Sequence, residues 1–153
     1  MNRNPELFES AVPECTEHLD PSKPTKEMIF ELIRHIRDPE HSYSLEVLNI
    51  VNLDSIEIKE IPTTYGKNLQ QIAVFFQPTI PHCSMAAIIG LCIFYVLKAR
   101  LETFWVRVQI VEDAHVNWKM INKQLDDKDR TNAAFENVSI LNVINDCVGW
   151  SNA

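Results

Sequence analysis

The chain has 153 residues, 46% of them hydrophobic and 23% charged, with a formal net charge of −7. That length sets a prior of one domain, and a domain of this size buries roughly two thirds of its unfolded surface without needing a staple. The composition excludes a disordered chain, and the acidic balance argues against a protein that binds nucleic acid by neutralising phosphates.

Residues 1–24 carry Pro5, Pro13, Pro21 and Pro24 and show no apolar period, so they read as a flexible acidic arm. Residues 25–150 read as a single domain. Met28, Ile29, Leu32, Ile33 and Ile36 recur at helical spacing and predict a helix over about 25–37, stopped by Asp38-Pro39. Ser44 caps a short helical turn through Leu48. Ile56 and Ile58 alternate with Glu57 and Lys59 as in a half-buried strand. Leu69 to Gln77 is mostly apolar and reads as the central strand. After the proline-punctuated loop Pro78–His82, an all-round apolar helix over about Ser84–Ala99 reads as the buried core helix. Phe104 to Val111 is a third strand, with Arg107 and Gln109 on one face and Val106, Val108 and Ile110 on the other. Helices follow over 118–136 and 138–148, with Asp126 and Arg130 spaced to pair on a solvated face. The order α-β-β-α-β-α-α predicts an α+β fold: a small three-stranded sheet with helices packed on one face. Turns at Pro62–Gly66 and 112–117 are candidate hinges for element exchange between copies.

Met1 to Asp20 has no apolar segment, and the longest uncharged apolar run, Met85–Leu97, is 13 residues. A membrane span needs about 18 or more. Neither a signal peptide nor a spanning helix is expected. Cys15, Cys83, Cys92 and Cys147 are too sparse for a disulfide scaffold and form no C-x-x-C pair. The reading is a reducing, cytoplasmic or nuclear compartment with free thiols.

Cys83 is the most informative residue. It lies between a rigid loop and the start of the core helix, where free amide N–H groups and the helix dipole would favour a thiolate. A buried cysteine acting as a small hydrophobe fits the same position. His82 and His115 are candidate neighbours of Cys83. With Glu40 they would suit zinc or iron, and Cys83 with His115 would also suit a cysteine nucleophile with its base. Asp38, Glu40 and His41 cluster after the first helix, a pattern shared by helix stops and metal sites. Cys92 and Cys147 read as packing. His18 and His35 carry no signal, while Trp105 and Trp150 are candidate partner anchors or core. No GxGxxG, Walker A or GxSxG signature occurs, so nucleotide binding and serine hydrolysis have no support.

Three segments together resemble one family. They are Ile33-Arg34-His35-Ile36-Arg37-Asp38-Pro39-Glu40 with Ser44-Leu45-Glu46-Val47-Leu48, then Phe76-Gln77-Pro78-Thr79-Ile80-Pro81-His82-Cys83-Ser84-Met85-Ala86, then Ile121-Asn122-Lys123-Gln124-Leu125-Asp126-Asp127-Lys128-Asp129-Arg130 with Ala133-Ala134-Phe135-Glu136-Asn137. The chain resembles the cytosolic iron–sulfur assembly component 2 family, the Galla-type or MIP18-like targeting factors, over about residues 26–148. The resemblance implies an iron–sulfur assembly domain-like fold and a non-enzymatic adaptor. Such adaptors join a WD40 propeller protein and a HEAT-repeat scaffold. They deliver clusters to cytosolic and nuclear client apoproteins, such as helicases and polymerases, and some are linked to chromosome segregation or to a membrane polarity protein. It implies no tightly bound cofactor, a possible transient iron–sulfur cluster or zinc, and a possible homodimer by element exchange. Cys83 takes the place of the family's cluster-handling or client-handling thiol. His115, Glu40 and His82 are its supporting residues or possible metal ligands, with Cys83 and His115 as the metal pair. This chain has Asp113-Ala114-His115 where the family pattern has Gly-Thr-His, as in a divergent paralogue. Two alternatives stand beside the cluster adaptor: a protein-interaction adaptor without cluster work, and a Cys83-dependent enzyme.

Overall fold

The computed structural model of the chain describes residues 5–8, 24–41, 43–64, 66 and 68–149. Cys15, His18 and Trp150, and most of the acidic arm, lie outside them. Of the arm, residues 5–8 lie beside the 47–49 turn, where the Phe8 N–H donates to the Val47 carbonyl at 2.7 Å.

The first helix, α1 (Lys26–Ile33), starts where Thr25 accepts from the Met28 N–H and buries Met28, Ile29, Phe30 and Ile33. It ends four residues before the expected stop at Arg37. The chain leaves the helix to pair with itself. Leu45 N–H donates to the Ile36 carbonyl and Asp38 N–H to the Tyr43 carbonyl, both at 2.8 Å, and Arg37 bridges Ser44. The expected helix turn at 44–48 is a run of turns, with Val47 N–H on Ser44 Oγ at 3.2 Å. Arg34 fixes this corner. Its buried guanidinium binds both Glu46 oxygens at 2.6 and 2.9 Å, reaches Glu31 at 2.9 Å and lies over the Phe30 ring. A guanidinium fork matches two carboxylates well.

The sheet has strand order β1 (Ile56–Ile61), β2 (Leu69–Phe76), β3 (Trp105–Ile110). β1 runs antiparallel to β2, and β2 runs parallel to β3. A parallel pair needs a long crossover, and the core helix α2 (Ala86–Arg100) supplies it. The cross-strand rows Ile56–Val74–Val108, Ile58–Ile72–Val106 and Phe76–Ile110 form the face that meets the helices. The opposite face carries Glu57, Ala73 and Arg107 in one row and Lys59, Gln71 and Trp105 in the next. The fold class is the expected α+β arrangement. Gly90 lets α2 sit close: a Cβ there would lie 2.8 Å from Leu125 Cδ1 and 3.2 Å from Phe76 Cε1.

The helical stretch expected over 118–136 is two helices, α3 (Trp118–Asp126) and α4 (Lys128–Glu136). Asp127 separates them. Its backbone is extended, and its carboxylate accepts from the Asp129 and Arg130 N–H groups, so it caps α4. That break undoes the expected Asp126–Arg130 pair: Asp126 meets Arg107 at 3.4 Å, and Arg130 turns back to Asp127 at 3.5 Å. Asn137 caps the last helix, α5 (Val138–Val148), in the same way. Phe135 on α4 packs on Phe94 and Tyr95 of α2. The outer edge of β3 is closed by one side chain. Asn122 accepts from the Ile110 N–H at 2.6 Å and donates to the Ile110 carbonyl at 3.1 Å, standing in for a neighbouring strand. Among the described residues no helix is long and apolar enough to cross a membrane.

Candidate functional site

Parallel pairing of β2 and β3 places both strand ends, and the loops that follow them, on one edge of the sheet. The loop after β2 carries Cys83 and the loop after β3 carries His115. The structure brings them together: His115 Nε2 lies 2.8 Å from the Cys83 carbonyl oxygen, and Val116 N–H donates to the Pro81 carbonyl at 2.8 Å. The Asn117 N–H donates to His115 Nδ1 at 3.0 Å. The ring is therefore the neutral tautomer with Nδ1 accepting and Nε2–H donating. Both nitrogens of this buried ring serve the main chain. His115 positions the Cys83 backbone and is not placed to take the Cys83 proton.

The third wall comes from the turn after α1. Asp38 Oδ1 accepts from the Glu40 and His41 N–H groups at 2.8 and 3.1 Å, which fixes the turn. The Glu40 side chain then reaches the Cys83 loop. Its Oε1 accepts from Ser84 Oγ at 3.2 Å and from the Cys83 thiol at 3.9 Å. Cys83 is only 6% exposed. His82 points outward and is exposed.

The electrostatics reverse the thiolate expectation. The helix begins at Ala86, three residues beyond Cys83, so its first-turn amides do not converge on the sulfur. Burial pushes the Cys83 thiol above its ordinary pKa, the Met85 N–H pulls it down by less, and the Glu40 and Asp38 charges push it up again. At neutral pH Cys83 rests as a protonated thiol held by Glu40. A zinc site does not fit this arrangement: the ring of His115 is engaged at both nitrogens, and Asp38 is spent on the turn. Among the described residues no three His, Cys, Asp or Glu side chains are grouped to hold a metal ion.

Sequence reasoning placed Cys83, Glu40 and His115 but missed Ser84, whose hydroxyl shares the Glu40 oxygen. Only the adjacency of Ser84 to Cys83 in the chain hinted at it. Asp113 was noted only as a departure from a glycine pattern. The structure puts Asp113 at φ 65°, in the left-handed region, with Oδ1 accepting from Trp118 Nε1 at 3.2 Å. The loop that carries His115 thus keeps the backbone shape a glycine would adopt.

No family model matches the chain. Curated relatives do. Cytosolic iron-sulfur assembly component 2B of Mus musculus is 44% identical over 121 residues, covering 78% of this chain and 70% of the relative. MIP18 family protein galla-2 of Drosophila melanogaster is 43% identical over 124 residues, covering 80% of this chain and 75% of the relative. This chain belongs to the MIP18 family. Another member, cytosolic iron-sulfur assembly component 2B of Dictyostelium discoideum, is 41% identical over 122 residues, covering 78% of this chain and 71% of the relative. As a MIP18 family member, the chain places the Cys83 loop against two segments distant in sequence, the 38–46 turn and the 111–117 loop.

Proposed function

We propose that this chain is an adaptor of the cytosolic iron–sulfur assembly targeting complex, helping to deliver clusters to cytosolic and nuclear apoproteins. Its similarity to proteins named cytosolic iron-sulfur assembly component 2B, over most of both chains, is the observation that carries the reading. Partners of the kinds the resemblance implies follow: a WD40 propeller protein, a HEAT-repeat scaffold and client apoproteins. Trp105, 42% exposed, and Leu69, 38% exposed, line one groove at the end of the sheet and supply an apolar surface for such a partner. Cys83 is the thiol that meets the cluster iron or a client cysteine. In the resting chain it is shielded and protonated. Contact with iron displaces the thiol proton, and Glu40 is the base within reach. The cluster is cargo that passes through, not a resident group.

A Cys83-dependent enzyme has less support, since the thiol is not activated and His115 is occupied by the main chain.

The test is affinity purification from cells, wild type beside Cys83→Ala, read by mass spectrometry and by the iron content of recovered clients. The wild type is expected to recover a WD40 propeller protein, a HEAT-repeat scaffold and iron–sulfur clients. The Cys83→Ala chain is expected to keep the first two and lose cluster-loaded clients. Full client maturation with Cys83→Ala would remove the role of the thiol. Failure of the wild type to recover any assembly protein would remove the adaptor reading.

A further inference from the structure

We propose that a second copy of this chain docks on the outer edge of β1, pairing β1 with β1 antiparallel into one continuous sheet of two chains. The two edges of the sheet are finished differently. Asn122 closes the β3 edge by binding both main-chain groups of Ile110. β1 pairs with β2 alone, and beyond that pairing no hydrogen bond reaches the main chain of residues 57–61 among the described residues. Lys59 and Glu60 are exposed along this edge, and Ile58 is half-buried. An open edge is a template for another strand, and charges along it exclude strands that do not match them. The pattern Ile56-Glu57-Ile58-Lys59-Glu60-Ile61 matches itself. No element is exchanged in this contact, and the delivery reading does not use it.

The charges select the register. Opposed residues of an antiparallel pair share a sheet face, so a two-fold axis centres each register on one residue and its own copy. Centres at Glu57, Lys59 and Glu60 set a like charge against itself, which is unfavourable. Those at Lys59 and Glu60 also bring Pro62, which has no N–H, into the ladder. Centres at Ile56 and Ile61 pair only the strand tips. The centre at Ile58 sets Ile58 against the second copy's Ile58 and Glu57 against Lys59 on both sides of the axis. The remaining pair sets Ile56 beside the second copy's Glu60, whose carboxylate accepts from Asn68 Nδ2 at 3.4 Å. Within one strand Lys59 meets Glu57 at 3.1 Å with both side chains exposed. An exposed pair of this kind adds little stability, so both side chains can re-pair across the new ladder. Contact between two six-residue edges falls below the roughly 1,200 Å² of stable interfaces, so the dimer forms reversibly. The axis turns the two Cys83 loops to opposite ends of the joined strands, and neither loop enters the new ladder.

The experiment is sedimentation velocity on the full chain over a micromolar concentration series, at low and at high salt. The wild type is expected to pass from monomer to dimer as concentration rises, and to do so less readily at high salt. Glu57→Lys sets cation against cation across the axis, and Lys59→Glu sets carboxylate against carboxylate. Each variant alone is expected to raise the dissociation constant about tenfold or more. An equimolar mixture of the two variants is expected to regain wild-type association, because every cation then faces a carboxylate of the other variant. The mixture also controls for folding, since a variant that failed to fold would not be rescued by the other. A wild type that stays monomeric throughout the series overturns the proposal. So does a dimer that both single variants keep, as one built by element exchange would, and so does a mixture that stays monomeric. None of these readouts depends on cluster delivery, so failure here is distinct from failure of the adaptor reading.

Discussion

Two thiol environments in one small fold differ in what surrounds the sulfur. Cys83 sits at a loop junction and faces a carboxylate and a hydroxyl drawn from other segments. Cys92 and Cys147 sit on α2 and α5, enclosed in the core cluster those packed helices share. Burial is similar for Cys83 and Cys147, at 6% exposure each, yet the pKa directions are opposite. A neighbouring negative charge disfavours the thiolate, whereas a neighbouring thiol proton favours it. At Cys83 burial is the larger cause of the rise, and the Glu40 and Asp38 charges add to it; at Cys147 the neighbouring thiol outweighs burial.

The comparison breaks most sharply in native-state labelling. Cys92 is enclosed by helix packing and should react with iodoacetamide only through global unfolding, while Cys83 needs only loop opening. Sub-global and global openings commonly differ by several kcal/mol, so the Cys92 rate should be lower by a factor on the order of 100 or more. Similar rates, measured by mass spectrometry over a time course, would mean the helices open as easily as the loop.

His115→Ala comes next in size. It strips the donor from the buried Cys83 carbonyl and cuts the tie between the two loops. We expect a loss of about 1–3 kcal/mol in denaturant unfolding together with faster Cys83 alkylation. Unchanged alkylation would separate the thiol from the His115 contact.

Glu40→Gln tests the electrostatic half. Removing the charge lowers the Cys83 pKa, although burial, the larger cause, remains. At pH 7.5 the thiolate fraction and the alkylation rate should rise several-fold, each pKa step of one being about tenfold. The same shift has a stability sign. Cys83 binds its proton more tightly folded than unfolded, so its contribution is full below the pKa of a free thiol and is lost as pH rises. Wild type should lose stability relative to Cys83→Ala as pH rises past the free-thiol value of about 8.5. A difference that is flat with pH would show that the folded thiol is unperturbed.

Asp113→Gly has the smallest effect. It relieves a side chain held at positive φ but gives up the Trp118 bond and adds backbone freedom to the unfolded chain. The net change in thermal unfolding should stay within about 1 kcal/mol, and Cys83 alkylation should not move.

Much of this was legible from the chain itself. Helical spacing and the start at Thr25 located α1, an all-round apolar run located α2, a helical pattern located α5, and the apolar run Ile72–Phe76 identified the central strand. The motif around Cys83 identified the family. These are short-range signals, written in periodicity and in hydrogen bonds between near neighbours. Tertiary structure decided the rest. Asp127 favoured capping α4 over continuing α3, and the 36–45 segment favoured pairing with itself over a longer α1. Glu40 and His115 reach Cys83 from 43 and 32 residues away, and α5 brings Cys147 into the core cluster that holds Cys92. The helix dipole inferred from local sequence favoured a thiolate at Cys83. Desolvation and two carboxylates, set only by how distant segments pack, outweighed it.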